Sequence, residues 1–153
     1  MSLVYPILLY GIEIYANVSY STFKPLIVKC NSLLRILQHK PRRFNTIDLC
    51  KNYNTLPIDL LHKLFVLKLT HRRWYHQTTL PGVINNLFII NDSIHHHNTR
   101  RMHAFHLKGD CSRKSIEYIG PSLWANLPLN IAECSSEVAF ITSCKSHLLV
   151  NNI

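Results

Sequence analysis

Glycine is scarce in this chain: four residues in 153, none of them set in a glycine-rich phosphate loop or a G-x-S-x-G elbow. The phosphate-cradling loops of nucleotide-binding enzymes and the common serine-hydrolase nucleophile therefore have no local framework. Acidic residues are nearly as thin, eight Asp and Glu with no two adjacent. A two-metal polymerase or nuclease holds Mg²⁺ with clustered carboxylates, so no such catalytic site is expected within the chain. Glu133 and Glu137, the one i,i+4 acidic pair, fall around the expected start of the last helix and read as charges that complement its dipole. The five cysteines (Cys30, Cys50, Cys111, Cys134, Cys144) are odd in number and include no close pair, which predicts reduced thiols inside the cell and no disulfides. Long apolar runs are missing too. The stretch from Leu3 to Tyr15 is interrupted by Glu13 and falls short of the roughly 20 residues that span a bilayer. It also lacks the basic start of a signal peptide. A buried helix is expected there, and no membrane partner.

What is plentiful is hydrophobic and basic. Hydrophobic residues make up 47% of the chain, too many for a disordered tail, and the glycine shortage disfavours a β-sandwich. The length suits one hydrophobic core, or two small helical units joined by a loop, with one compact domain as the default. Seventeen Lys and Arg against eight acids leave a formal charge of +9 and a pI near 9.5. The natural partner is a polyanion, most commonly nucleic acid, because neutralising phosphates releases condensed counterions.

Periodicity predicts a mainly α chain. From Leu3 to Asn17, Val4, Ile7, Leu8, Gly11, Ile12 and Tyr15 recur at helical intervals, which implies a helix buried on several sides, with Pro6 in its first turn and Gly11 admitting a close backbone approach. Thr22 as N-cap and Pro25 in the first turn introduce a second helix, whose Leu26, Ile27, Cys30, Leu33, Leu34 and Leu37 form an apolar face opposite Lys24, Lys29, Asn31, Arg35 and Gln38. Thr46 is expected to cap a short helix over Ile47–Lys51. Leu56, Pro57, Ile58 and Asp59 open a longer one running to about Trp74, with Ile58, Leu61, Leu64, Phe65, Leu67 and Leu69 as its apolar set and His71, Arg72 and Arg73 at its C-terminal turn. From Thr78 to Arg101 the chain reads as a loop with a helical turn or two. Ser115 to Tyr118 reads as a short strand broken by Gly120 and Pro121, and Ser135 or Ser136 caps a terminal helix burying Val138, Phe140 or Ile141, Cys144 and Leu148. Two regions follow: 1–76, a helical thumb-like region, and 77–153, a tail with loop, short strand or turn, and terminal helix.

Three groups place basic residues beside aromatics or amides: Lys40, Arg42, Arg43 and Phe44; Arg72, Arg73, Trp74 and Tyr75; Asn98, Thr99, Arg100 and Arg101. Arg and Lys can hold phosphates while aromatic rings stack on unpaired bases, which makes these groups candidates for template or primer contact; the plain alternative for each is a solvated helix end. The run His95, His96 and His97, with Cys144 and His147 on the last helix, invites a zinc site. Consecutive histidines rarely point at one ion and no ligand spacing completes the set, so a polar loop and a core cysteine are the preferred reading. Trp124, at helical intervals from Leu127 and Ile131, is expected as a core anchor.

Several short signatures, in order, resemble the region that follows the palm in LINE-type (non-LTR) retrotransposon reverse transcriptases of the jockey-like group. Leu3, Val4, Tyr5, Pro6, Ile7, Leu8, Leu9, Tyr10, Gly11 and Ile12 look like the apolar thumb helix with its tyrosine-glycine pair. Leu33, Leu34, Arg35 and Ile36 are similar to the end of the following helix, and Leu56, Pro57 and Ile58 to a leucine-proline turn. Ile94, His95, Asn98, Thr99 and Arg100 resemble the tail's isoleucine-histidine and asparagine-threonine-arginine tract. Ser115, Ile116, Tyr118, Gly120, Pro121, Leu123, Trp124, Leu127, Pro128, Ile131 and Phe140 resemble its closing motifs. His97 stands where an aromatic is usual and Ala125 where asparagine is usual, as in a decayed or domesticated copy.

The resemblance implies a C-terminal fragment of an RNA-directed DNA polymerase. Its catalytic aspartates and Mg²⁺ would belong to a palm upstream, so no cofactor and no catalytic residue is carried over to this chain. The implied partners are RNA or an RNA–DNA duplex and the palm of the same polyprotein. From the basic groups themselves, the residues expected to contact nucleic acid are Lys29, Arg35, Lys40, Arg42, Arg43, Arg72, Arg73, Trp74, Arg100 and Arg101. The alternatives are a non-functional structural remnant of a mobile element, which an exposed apolar patch on Leu3–Tyr15 would favour, and a small helical protein-binding adaptor.

Overall fold

The computed structural model, which describes residues 4–82 and 115–150, shows a mainly helical chain. In order come α1 (Val4–Leu9), α2 (Ile12–Tyr15), α3 (Tyr20–Leu37), α4 (Thr46–Asn52), α5 (Ile58–Tyr75), a 3₁₀ turn (Gln77–Thr79), α6 (Ile116–Ala125), α7 (Leu129–Ala132) and α8 (Glu137–Val150). No strand occurs among the described residues. They fall into two compact units, one drawn from 4–63 and 145–150, the other from 64–82 and 115–144.

In the first unit, the single N-terminal helix expected over Leu3–Asn17 is instead two short ones. Gly11 breaks it with φ +68°, a left-handed conformation that side chains disfavour. A Cβ placed there would meet nothing within 4 Å, so Gly11 serves the turn and not a close backbone approach. Burial on several sides does not hold either: Ile12 is fully buried, but Ile7 is 73% and Tyr10 88% exposed.

The second helix, α3, begins three residues earlier than the Thr22 cap implied, after Ser19, whose carbonyl accepts from the backbone N–H groups of Thr22 and Phe23 at 3.0 Å each. Pro25 therefore lies in the second turn, where its missing N–H leaves the Ser21 carbonyl without a helical donor. The buried residue of α3 is Phe23, whose ring lies 6.3 Å from Tyr15. Leu26, Ile27, Cys30, Leu33 and Leu34 are half-buried and Leu37 is exposed, so the predicted apolar face is only partly covered. Leu49, Cys50, Leu56, Ile58 and Leu61 form the core beside Ile12 and Phe23.

Helices α3 and α4 both end in the same device. After α3, His39 takes φ +51°, its N–H reaches Ile36 O (3.1 Å) and Lys40 N–H reaches Arg35 O (2.9 Å). After α4, Asn54 takes φ +48°, with Asn54 N–H on Lys51 O (3.0 Å) and Thr55 N–H on Cys50 O (2.9 Å). These are Schellman motifs built without glycine. The Lys145 ammonium donates to both the carbonyl and the Oδ1 of Asn54, the latter at 2.9 Å, and so fastens the second one. The cap of α4 is Asn45 rather than Thr46: its side chain accepts from Ile47 N–H at 3.0 Å.

In the second unit, α5 buries Leu64, Val66, Leu67, Thr70 and His71. The buried Thr70 hydroxyl is satisfied by donating to Val66 O at 2.9 Å. The strand expected at Ser115–Tyr118 is helical. Ser115 O accepts from Tyr118 and Ile119 N–H groups (3.1 and 2.9 Å), and Gly120 and Pro121 lie inside α6, buried, instead of breaking it. Four residues of weak alternation are outweighed by the i, i+3/i+4 spacing of Gly120, Pro121 and Trp124 on one buried face. Trp124 is the core anchor its spacing suggested, stacked on Phe140 with centroids 5.5 Å apart. Along α8, Phe140 and Cys144 are buried, whereas Val138, expected inside, is 76% exposed.

Candidate nucleic-acid interface

Position in the chain made three basic groups equal candidates; their surroundings make them unequal. The first is the connection between α3 and α4. Arg35, half-buried near the end of α3, reaches across it: Nε and Nη2 donate to Phe44 O (3.3 and 3.1 Å) and Nη2 to Thr46 Oγ1 (3.2 Å). Gln38 adds a bond from Nε2 to Leu49 O (2.8 Å) and accepts from Asn52 Nδ2 (2.9 Å). The loop is thus tied to both helices, with a further turn from Phe44 N–H to Pro41 O (3.0 Å). Lys40, Arg42 and Arg43 project from it, all exposed. The Lys40 ammonium stands 5.3 Å over the half-buried Phe44 ring. Arg35 belongs to the scaffold of this site, since its guanidinium is occupied by protein oxygens. Lys29, on α3, is exposed as expected.

The second group lies at the end of α5 and is drawn into the second unit. Arg72 Nη2 and Lys68 Nζ sit 3.0 and 3.2 Å from Glu137 Oε1, and Arg72 Nε donates to Glu137 Oε2 at 3.0 Å. The hydrogen bond from Arg72 is the chief reason the Glu137 carboxyl titrates below its usual range, and Lys68 adds to it. Glu137 therefore does more than complement the dipole of α8. Arg73 is half-buried, with its Nε enclosed and lacking a hydrogen-bond partner. Trp74 lines a small pocket with Trp124, Leu127 and Ala132, and Tyr75 Oη donates to Ala132 O at 2.9 Å. This group is mostly packing. The third group, with Arg100 and Arg101, lies outside the described residues, as do His95, His96 and His97.

His71, placed by the sequence at the C-terminal turn of α5 beside Arg72 and Arg73, is a core residue. It is fully buried, stacked on Phe140 (4.3 Å) and near Tyr75 (4.9 Å) and His76 (5.7 Å). Burial pushes its pKa down, so the ring is held neutral. Only the clustering of aromatics around it marks this role, and that is invisible in the linear sequence.

Burial also pushes the Cys50 thiol up to about 11 and the Cys144 thiol up to about 12, which keeps both protonated and poor nucleophiles or metal ligands. Among the described residues no three His, Cys, Asp or Glu side chains are grouped to hold a metal, and no helix is long and apolar enough to cross a membrane.

Comparison with family models, with curated proteins and with solved structures gives no match for this chain.

Proposed function

We propose that this chain is the non-catalytic post-palm part of a LINE-type reverse transcriptase and binds template-primer or element RNA. The observation that carries the reading is the order of the motifs, from the tyrosine-glycine pair at Tyr10 and Gly11 to the tryptophan and leucine-proline pair at Trp124, Leu127 and Pro128. A net charge of +9 and the exposed cations Lys29, Lys40, Arg42 and Arg43 support it, because phosphate contact needs accessible positive charge. Lys68 and Arg72 share Glu137 and add less. The test is to translate the DNA upstream of the Met1 codon in all three frames. A palm segment with paired catalytic aspartates is expected, and several kilobases without one would remove the polymerase reading.

A second reading is favoured by the exposed Ile7 and Tyr10: a remnant that self-associates through its first helices. Sedimentation velocity separates the two. A monomer across micromolar concentrations opposes self-association, and a concentration-dependent oligomer abolished by Ile7→Ser with Tyr10→Ser supports it.

A further inference from the structure

The connection between α3 and α4 is short, clamped and charged with one sign. Its entry is fixed by the Schellman bonds of His39 and Lys40, its exit by the Asn45 cap, and its middle by Arg35 on the Phe44 carbonyl. Of the cations it presents, Lys40, Arg42 and Arg43, none takes part in the ion pairs found among the described residues; the nearest acid along the chain, Asp48, faces Lys51 at 4.0 Å. Three cations in four residues on a braced backbone repel one another without internal compensation, and a polyanion relieves that.

We infer that the turn Lys40–Arg43 is a preformed clamp for the sugar-phosphate backbone of a nucleic acid, and that Phe44 takes no part in base stacking. The inference rests on the nucleic-acid reading above and narrows it to one site and one kind of contact. A stacking platform needs a free ring face, yet Phe44 is half-buried and Lys40 stands over it. Contacts made only to phosphates position a strand without reading its sequence, so the site discriminates neither base identity nor pairing through this loop.

An acidic membrane is the other polyanion to weigh. A helix lying in a bilayer interface needs a continuous apolar face. On α3 the exposed apolar residues Tyr20, Pro25, Val28, Ile36 and Leu37 are interrupted by the exposed polar ones, Ser21, Thr22, Lys24, Lys29 and Ser32. Three adjacent cations also fall short of the four to eight typical of polybasic lipid-binding segments.

The experiment is fluorescence anisotropy on the full chain with a labelled RNA 20-mer, an RNA–DNA hybrid of the same length and vesicles rich in phosphatidylserine, from 50 to 300 mM KCl. Variants are Lys40→Gln with Arg42→Gln and Arg43→Gln, the single change Phe44→Leu, and Lys51→Gln as a charge control, with circular dichroism to confirm helix content. In the expected result the triple variant lowers the slope of log K against log salt by roughly 2 to 3, as three lost phosphate contacts require. Phe44→Leu stays within about twofold of the parent and Lys51→Gln changes the slope by less than about one, since a stacked base would be worth at least about fivefold. RNA binding whose slope survives the triple change overturns the clamp and leaves the nucleic-acid reading standing. A tenfold loss in Phe44→Leu overturns the phosphate-only contact. No binding to RNA or hybrid at 50 mM salt, with or without vesicle binding, overturns the clamp and the reading together.

Discussion

His71 Nε2 donates a hydrogen bond to the carbonyl of Cys134 across 2.7 Å, which fixes the neutral tautomer and leaves Nδ1 buried with no partner. Protonating Nδ1 would put a charge against Phe140, Trp124 and Tyr75, with Glu137 the one acid to favour it and His76 opposing it. The folded pKa lies below the ordinary 6.5 while the unfolded ring protonates near that value, so acid favours the unfolded state. Stability from this residue is full above about pH 6.5 and falls as the pH drops below it. Urea midpoints measured between pH 8 and 5 should decline below that point, and His71→Phe, which keeps a stacked ring, should remove that part of the decline.

Glu137 gives a second acid-sensitive contact with the same sign. Its carboxyl, held below the ordinary 4.5 by Arg72 and Lys68, favours the folded state above that pH and loses the contribution as the pH falls further. Arg72 is 41% exposed, so solvent screening limits the pair and Glu137→Gln should cost about 1 kcal/mol or less. Chemical denaturation in 50 mM and 500 mM salt checks this: the difference between parent and variant should shrink at high salt.

The bounds of α5 were readable because their causes are local: Pro57 and Asp59 open it, and the chain leaves the helix after the Arg72–Tyr75 turn. Burial was less readable, because it depends on what arrives opposite. Leu37 and Val138 repeat at core spacing but meet solvent, while His71 meets Phe140 from a helix far along the chain. The site divides in the same way. The cations of the α3–α4 turn are plain in sequence, but the engagement of Arg35 with the Phe44 carbonyl nine residues on, and of Arg72 with Glu137 sixty-five residues on, is set by tertiary placement. That placement separates the scaffold arginines from those open to a ligand.

Arg35 tests this separation directly. Its forked bonds to Phe44 O and Thr46 Oγ1 need a planar guanidinium, which lysine cannot supply while keeping the charge. Arg35→Lys should destabilise the chain by about 1–2 kcal/mol, in line with hydrogen bonds from a charged donor. Thermal melts of Arg35→Lys and Lys29→Gln side by side should show the loss only in the first.

His39 and Asn54 hold the same left-handed backbone at different cost. A histidine there is strained by its Cβ, so His39→Gly should stabilise by about 1 kcal/mol. Asparagine tolerates the conformation better, and its Oδ1 accepts from Lys145, a bond glycine would forfeit. Asn54→Gly should therefore gain nothing or lose slightly. Equilibrium unfolding of both variants should place them on opposite sides of the parent, or Asn54→Gly level with it.

Phe140 and Val138 stand two residues apart on α8 and separate a core position from a surface one. Phe140 has no exposed surface and stacks on both Trp124 and His71, so Phe140→Ala opens a cavity that these rings cannot collapse into and should cost about 3–5 kcal/mol. Val138 is 76% exposed and loses little apolar burial on truncation, while alanine favours the helix slightly. Val138→Ala should stay within about 0.5 kcal/mol of the parent. Denaturant midpoints decide it: a larger loss at Val138 than at Phe140 would mean that the two faces of α8 are exchanged, because a half-turn of rotation about its axis would bury Val138 in place of Phe140.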